Sequence, residues 1–273
     1  SHLMIPPPLP PCEKTAWNIW WTFLWAFALI IVWQLTLSLA LMVTAGFSTL
    51  SDSSFDWDLF NGDQFTRLLF NNMLDGDVAG FAAFTTIFVI CPACWLLGKV
   101  RPHWGGWEYL GVERVKWWHW PVWGAVTCGF GVLFGYLGPS LGVEEMDDSM
   151  VEMADTTDFP FLLFLGVAIA APLVEEFIFR GVLFRGWRES KMGLILTLVL
   201  TSFIWTSLHV QYPAIILWYL FFFGIVLGLA REWTGNIWVP VWMHCVNNVL
   251  AIWEMLKYTC LLYTSPSPRD SGQ

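Results

Sequence analysis

Apolar positions dominate this chain in long blocks, and polar positions are confined to the short stretches between them. Seven blocks stand out, at residues 17–47, 78–98, 121–141, 159–187, 192–210, 212–230 and 237–255. Each reaches the ~18–20 residues that a helix needs to cross the hydrocarbon layer of a bilayer. The backbone of such a block must satisfy its own hydrogen bonds, so each is expected to be helical. The fold class is therefore all-α: a polytopic transmembrane helix bundle of about seven spans, sited in a cell membrane.

The exceptions to the pattern carry the chemistry. Within residues 159–187, Glu175, Glu176 and Arg180 interrupt an otherwise apolar run. A charge near a bilayer centre costs at least ~2.5–3.5 kcal/mol, so three of them together need a reason. Glu176 and Arg180 are spaced i,i+4, share a helix face and can pair. Glu175 projects about 100° away and has no partner on its own helix. A buried carboxylate without a local partner marks a functional site more often than a structural one.

Further polar groups recur on the later spans. The fifth ends in Trp205-Thr206-Ser207-Leu208-His209, and the seventh holds His244-Cys245-Val246-Asn247-Asn248. Trp205 and His209 are spaced i,i+4, as are His244 and Asn248. Counting ~1.5 Å per residue from the basic ends of the spans places Glu175 about 18 Å deep, His209 about 27 Å and His244 about 15 Å. Ordinary tilts bring these to one level.

Composition narrows the class further. Of 273 residues, 56% are hydrophobic, 18% aromatic and only 13% charged, with a net charge of −9. That balance argues against a basic nucleic-acid surface. The six cysteines are scattered and form no disulfide framework. Cys91-Pro92-Ala93-Cys94 reads as two inert membrane cysteines beside a proline, because nothing completes a zinc site around them. Five glycines in 121–141 permit close helix packing there. Residues 142–158 hold seven acids and no base, with apolar positions at the spacing of a short surface helix.

The chain divides into an N-terminal arm (1–16), three spans with an interfacial segment (17–141), and a second membrane core (159–257). Residues 5–11 are proline-rich and extended. Lysines, arginines and five tryptophans interleave over 99–121, the mark of a segment at the membrane surface. The stretch 48–77 reads as a solvated acidic loop with one amphipathic turn at 65–70. Residues 260–273 read as the translation of a transposase sequencing adaptor, so the native chain is expected to be represented only to about Thr259. Lys14, the 99–116 cluster, the bases of 185–191 and Arg231 fall on alternate loops. The positive-inside bias then makes the N-terminus cytoplasmic.

Glu-Glu-x-x-x-Arg, aromatic-x-x-x-His and His-x-x-x-Asn occur in that order over residues 159–255. This arrangement resembles the CPBP family, the intramembrane CAAX prenyl proteases and their bacteriocin self-immunity relatives. The family usually has Phe where this chain has Trp205, read here as a packing position. The resemblance implies membrane endopeptidase activity of glutamate or metalloprotease type, on a membrane-associated or lipid-modified protein or peptide, in a prokaryotic cell.

The residues support that chemistry independently. Peptide hydrolysis needs a base for water, donors for the oxyanion and an acid for the leaving amine. Glu175 is the candidate base, with His209 completing the hydrogen bonds of the water. His244 and Asn248 are the candidate oxyanion donors, and Glu176 with Arg180 supports the helix. No metal is expected to be required. Zinc held by Glu175, His209 and His244 is the alternative, although no histidine pair sits on one helix turn as zinc proteases usually have. Two non-enzymatic readings use the same cavity: a peptide-binding immunity protein, and a proton-coupled transporter.

Overall fold

The computed structural model describes residues 15–51, 62–64, 66–67, 75–141 and 155–264. The proline-rich arm, the surface helix expected at 143–153, most of the turn at 65–70 and the last nine residues lie outside these. Every described element is helical: α1 (Ile19–Ser51), α2 (Gly76–Lys99), α3 (Gly106–Leu110), α4 (His119–Leu137), α5 (Pro160–Arg188), α6 (Gly193–Ser207), α7 (Ala214–Thr234) and α8 (Trp238–Thr264). The chain is an all-α polytopic bundle. Five of the helices (α1 as far as Phe47, α2, α4, α5 and α7) are long and apolar enough to cross a membrane.

The other two expected spans differ from that simple form. α6 has 15 residues and stops at Ser207, so residues 192–210 are not one continuous helix. At ~1.5 Å per residue it is about 22 Å long, shorter than the ~30 Å hydrocarbon layer. His209 lies on the turn that follows. α8 runs 27 residues but carries Glu254 and Lys257 in its second half.

α5 is the axis of the bundle. More than half of its most apolar stretch is buried inside the protein, a larger share than in any other candidate span. Val174, Ile178, Phe179 and Val182 are fully enclosed, and Phe177 and Leu183 nearly so. This helix is not uniform. Leu165–Ala170 and Phe177–Leu183 are π-helical, on either side of the α-helical turn that carries Glu175 and Glu176. π turns of this kind are rare and concentrate at functional sites.

The contact between α2 and α5 is placed by two glycines. A Cβ on Gly80 would stand 2.6 Å from the Leu162 carbonyl oxygen, and one on Gly166 would stand 2.6 Å from Gly80 itself. The backbones of α2 and α5 therefore touch, which only residues without side chains allow. Gly129 and Gly135 on α4 face open space.

Polar contacts gather at the two ends of the bundle. At one end Arg101 donates to the Thr15 and Ala16 carbonyls, Trp187 to the Ile19 carbonyl, and Arg188 pairs with Glu232. At the other, Asp77 accepts from Thr157, Asp158 and Phe159, tying the starts of α2 and α5 together. Trp107, Trp117 and Trp118 are exposed, as an interfacial segment requires. Its centre is not interfacial, however. Tyr109 and Leu110 of α3 are wholly buried, and Arg185 and Arg231 donate to their carbonyls. Two cations at the C-terminus of a helix also suit its dipole.

Candidate active site

Glu176 and Arg180 form the pair that their spacing predicts. Arg180 Nη1 donates to Glu176 Oε1 at 2.9 Å, with neither side chain exposed. Arg180 Nη2 donates to the Gly224 carbonyl of α7 at 2.9 Å, an approach that the absence of a side chain at Gly224 permits. The guanidinium carbon also stands 5.0 Å over the Trp205 ring. A fully buried arginine needs this much compensation, since an unpaired charge here would be destabilising by several kcal/mol.

His244 joins the same carboxylate from α8. Its Nδ1 lies 2.9 Å from Glu176 Oε1, so the ring hydrogen on Nδ1 is donated to the carboxylate. That contact leaves Nε2 directed toward Glu175 Oε2, 3.9 Å away. Glu176 Oε1 thus accepts from two side chains on two helices. Its Oε2 is buried with no partner among the described residues.

Glu175 has no partner on α5, as its angular offset predicts, but it has one on α6. Trp205 Nε1–H donates to Glu175 Oε2 at 2.6 Å. Trp205 is therefore more than a packing position, and the reason is its indole N–H, which a phenylalanine would lack. Its ring lies 5.2 Å from that of His209 and 5.3 Å from that of His244, edge to face in both cases.

His209 is held by Trp205, four residues before it. Its Nδ1 is 3.0 Å from the Trp205 carbonyl, which can only accept, so the hydrogen is on Nδ1 and Nε2 is free. Asn248 sits on a neighbouring network. Its amide donates to the Val167 carbonyl at 2.8 Å, inside the first π turn, and its oxygen accepts from Asn247. Tyr219 of α7 donates in turn to Asn247. Asn247 and Tyr219 had no signal in the sequence beyond being polar groups within apolar helices.

The structure thus brings Glu175, Glu176, Arg180, Trp205 and His244 into one enclosed cluster, with Glu175 and His244 6% and 4% exposed. His209 and Asn248 border it and are half-buried. Among the described residues no three His, Cys, Asp or Glu side chains converge to hold a metal ion. As placed, Glu175, His209 and His244 do not fit a zinc site, although each histidine presents the free Nε2 that such a site would use.

Residues 157–250 match the family model described as Type II CAAX prenyl endopeptidase Rce1-like. The chain is 36% identical over 95 residues to the uncharacterized protein YpbD of Bacillus subtilis, covering 33% of this chain and 43% of that one. It is 29% identical over 104 residues to the membrane-embedded CAAX protease MroQ of Staphylococcus aureus, covering 36% and 41%. A third relative, YaiH of Lactococcus lactis, is 32% identical over 92 residues, covering 34% and 37%. The chain thus spans less than half the length of these relatives. No solved structure gives a significant match. The matched stretch, about a third of the chain, holds α5 to α7, the first half of α8 and every member of the cluster, and over it the chain is similar to the Rce1-like type II CAAX prenyl endopeptidases.

Proposed function

We propose that this chain is an intramembrane endopeptidase that hydrolyses a peptide bond of a membrane-associated or lipid-modified protein or peptide, without a required metal. The observation that carries this reading is the pairing of Glu175 with His244. A carboxylate oxygen and an imidazole nitrogen stand 3.9 Å apart in an enclosed polar cluster, beyond hydrogen-bonding distance of each other. The family match and the printed name of the Staphylococcus aureus relative support the same reaction class.

Glu175 takes a proton from a water molecule as its oxygen attacks the peptide carbonyl. The Nε2 of His209 accepts a second hydrogen bond from that water and orients it. The carbonyl oxygen becomes an oxyanion facing His244 and Asn248. Asn248 has two amide hydrogens and spends one on Val167, so the other serves the oxyanion. His244 can donate from Nε2 only as an imidazolium. The C–N bond then breaks, and Glu175 returns its proton to the departing amine. Preorganised donors of this kind typically supply the largest share of such catalysis.

The test is turnover of a quenched membrane-peptide library by purified protein in detergent, wild type against Glu175→Gln. Cleavage that vanishes in a variant of unchanged melting temperature supports the peptidase. Binding of the peptides by both proteins without cleavage selects the immunity reading instead. Proton flux through reconstituted protein selects the transporter.

A further inference from the structure

Trp205 is the side chain on which the polar cluster converges. It is fully buried, its N–H lies on Glu175, its carbonyl takes the Nδ1–H of His209, and its ring packs against both histidines. The Arg180 guanidinium lies over the same ring. An indole N–H is a donor only. At 2.6 Å from Oε2 it fixes which carboxylate oxygen is occupied. Oε1 has no hydrogen bond from any described residue, so it is the oxygen left to meet water.

We infer that Trp205 is a positioning residue for the base: its indole N–H holds Glu175 Oε2 so that Oε1 receives the proton of the attacking water. This rests on the peptidase reading above. The contact survives the chemical step, because Oε2 still accepts from the indole when Oε1 carries the proton. The carboxyl group therefore stays in one plane as it takes the proton and gives it to the amine. A phenylalanine at this position would preserve the ring contacts and leave the carboxyl free to rotate. The surrounding charges do not substitute for the indole. Arg180 and the Nδ1 of His244 are both engaged by Glu176, and His244 Nε2 stands beyond hydrogen-bonding distance of Glu175.

Two measurements test this. The first is steady-state cleavage by Trp205→Phe beside wild type, with melting temperature recorded for both. Loss of the orienting contact should lower kcat roughly ten- to hundredfold, the size of effect that a small misplacement of a reacting group produces, with KM little changed. A folded Trp205→Phe with wild-type kcat, or one that raises KM alone, overturns the assignment. The second measurement does not need turnover. In protein labelled with 15N at its indoles, one N–H cross-peak should lie downfield, vanish in Trp205→Phe and move strongly in Glu175→Gln as the acceptor loses its charge. If Trp205→Phe fails to fold, the displacement in Glu175→Gln decides. No displaced indole signal overturns the inference. A wild type that cleaves nothing defeats the peptidase reading and takes this inference down with it.

Discussion

His244 gives its Nδ1–H to Glu176 Oε1 and thereby turns Nε2 toward Glu175. One glutamate thus orients the histidine that faces the other. The two adjacent carboxylates, indistinguishable in composition, have separate tasks because a helix sends consecutive residues in different directions. Glu176 meets α8 and the guanidinium, whereas Glu175 meets α6.

Glu176→Gln should destabilise the protein by about 3–5 kcal/mol, because it leaves Arg180 buried without its anion. The added substitution Arg180→Met should recover most of that loss. The amide oxygen introduced in place of the Glu176 carboxylate would still accept from His244, and no buried guanidinium would be left without its anion. Thermal melts of the three proteins in detergent check this. A double variant less stable than Glu176→Gln would show that Arg180 contributes mainly through Gly224 and Trp205.

Gly166→Ala should destabilise by about 1–3 kcal/mol, the usual penalty for overfilling a packed contact. The new methyl group would meet the backbone of Gly80. It also sits beside Val167, whose carbonyl holds Asn248, so cleavage should fall as well. Gly129→Ala, which faces open space, should be close to neutral. Unfolding curves and turnover of both variants check the contrast.

A reporter fused after Gly106 should read as cytoplasmic, and one inserted near Asp148 as external. The basic contacts of Arg101, Arg185 and Arg188 lie together at one end of the bundle, while Asp77 organises the other. Positive charge collects on the cytoplasmic side. Both reporters on the same side of the membrane would remove the alternating arrangement of spans.

Cleavage should persist after exhaustive chelation, with metal content measured on the same sample. Glu175, His209 and His244 do not converge on one point, and a desolvated carboxylate can act as a general base alone. Activity lost to chelation and restored by stoichiometric zinc would make those three residues ligands and end the metal-free reading.

Much of this protein is a matter of local spacing, and local spacing is written in the sequence. The apolar blocks became helices because a bilayer leaves the backbone no other partner. Glu176 and Arg180 paired because residues four apart share a face, and Glu175 stood apart for the same reason. Other features depend on how one helix is rotated against another. The Trp205 indole reaches Glu175 only because α6 turns that edge toward α5, and nothing within residues 192–210 specifies the rotation. The close approach of α2 to α5 is likewise decided by Gly80 and Gly166, which lie 86 positions apart and signal nothing singly. The end of α6 at Ser207 also escaped the sequence, since apolar residues continue past it without a glycine or proline before Pro213. Hydropathy and periodicity describe what each helix can bury. Which side chains then meet is settled by packing among helices far apart in the chain, where the fit of many contacts at once selects a single arrangement.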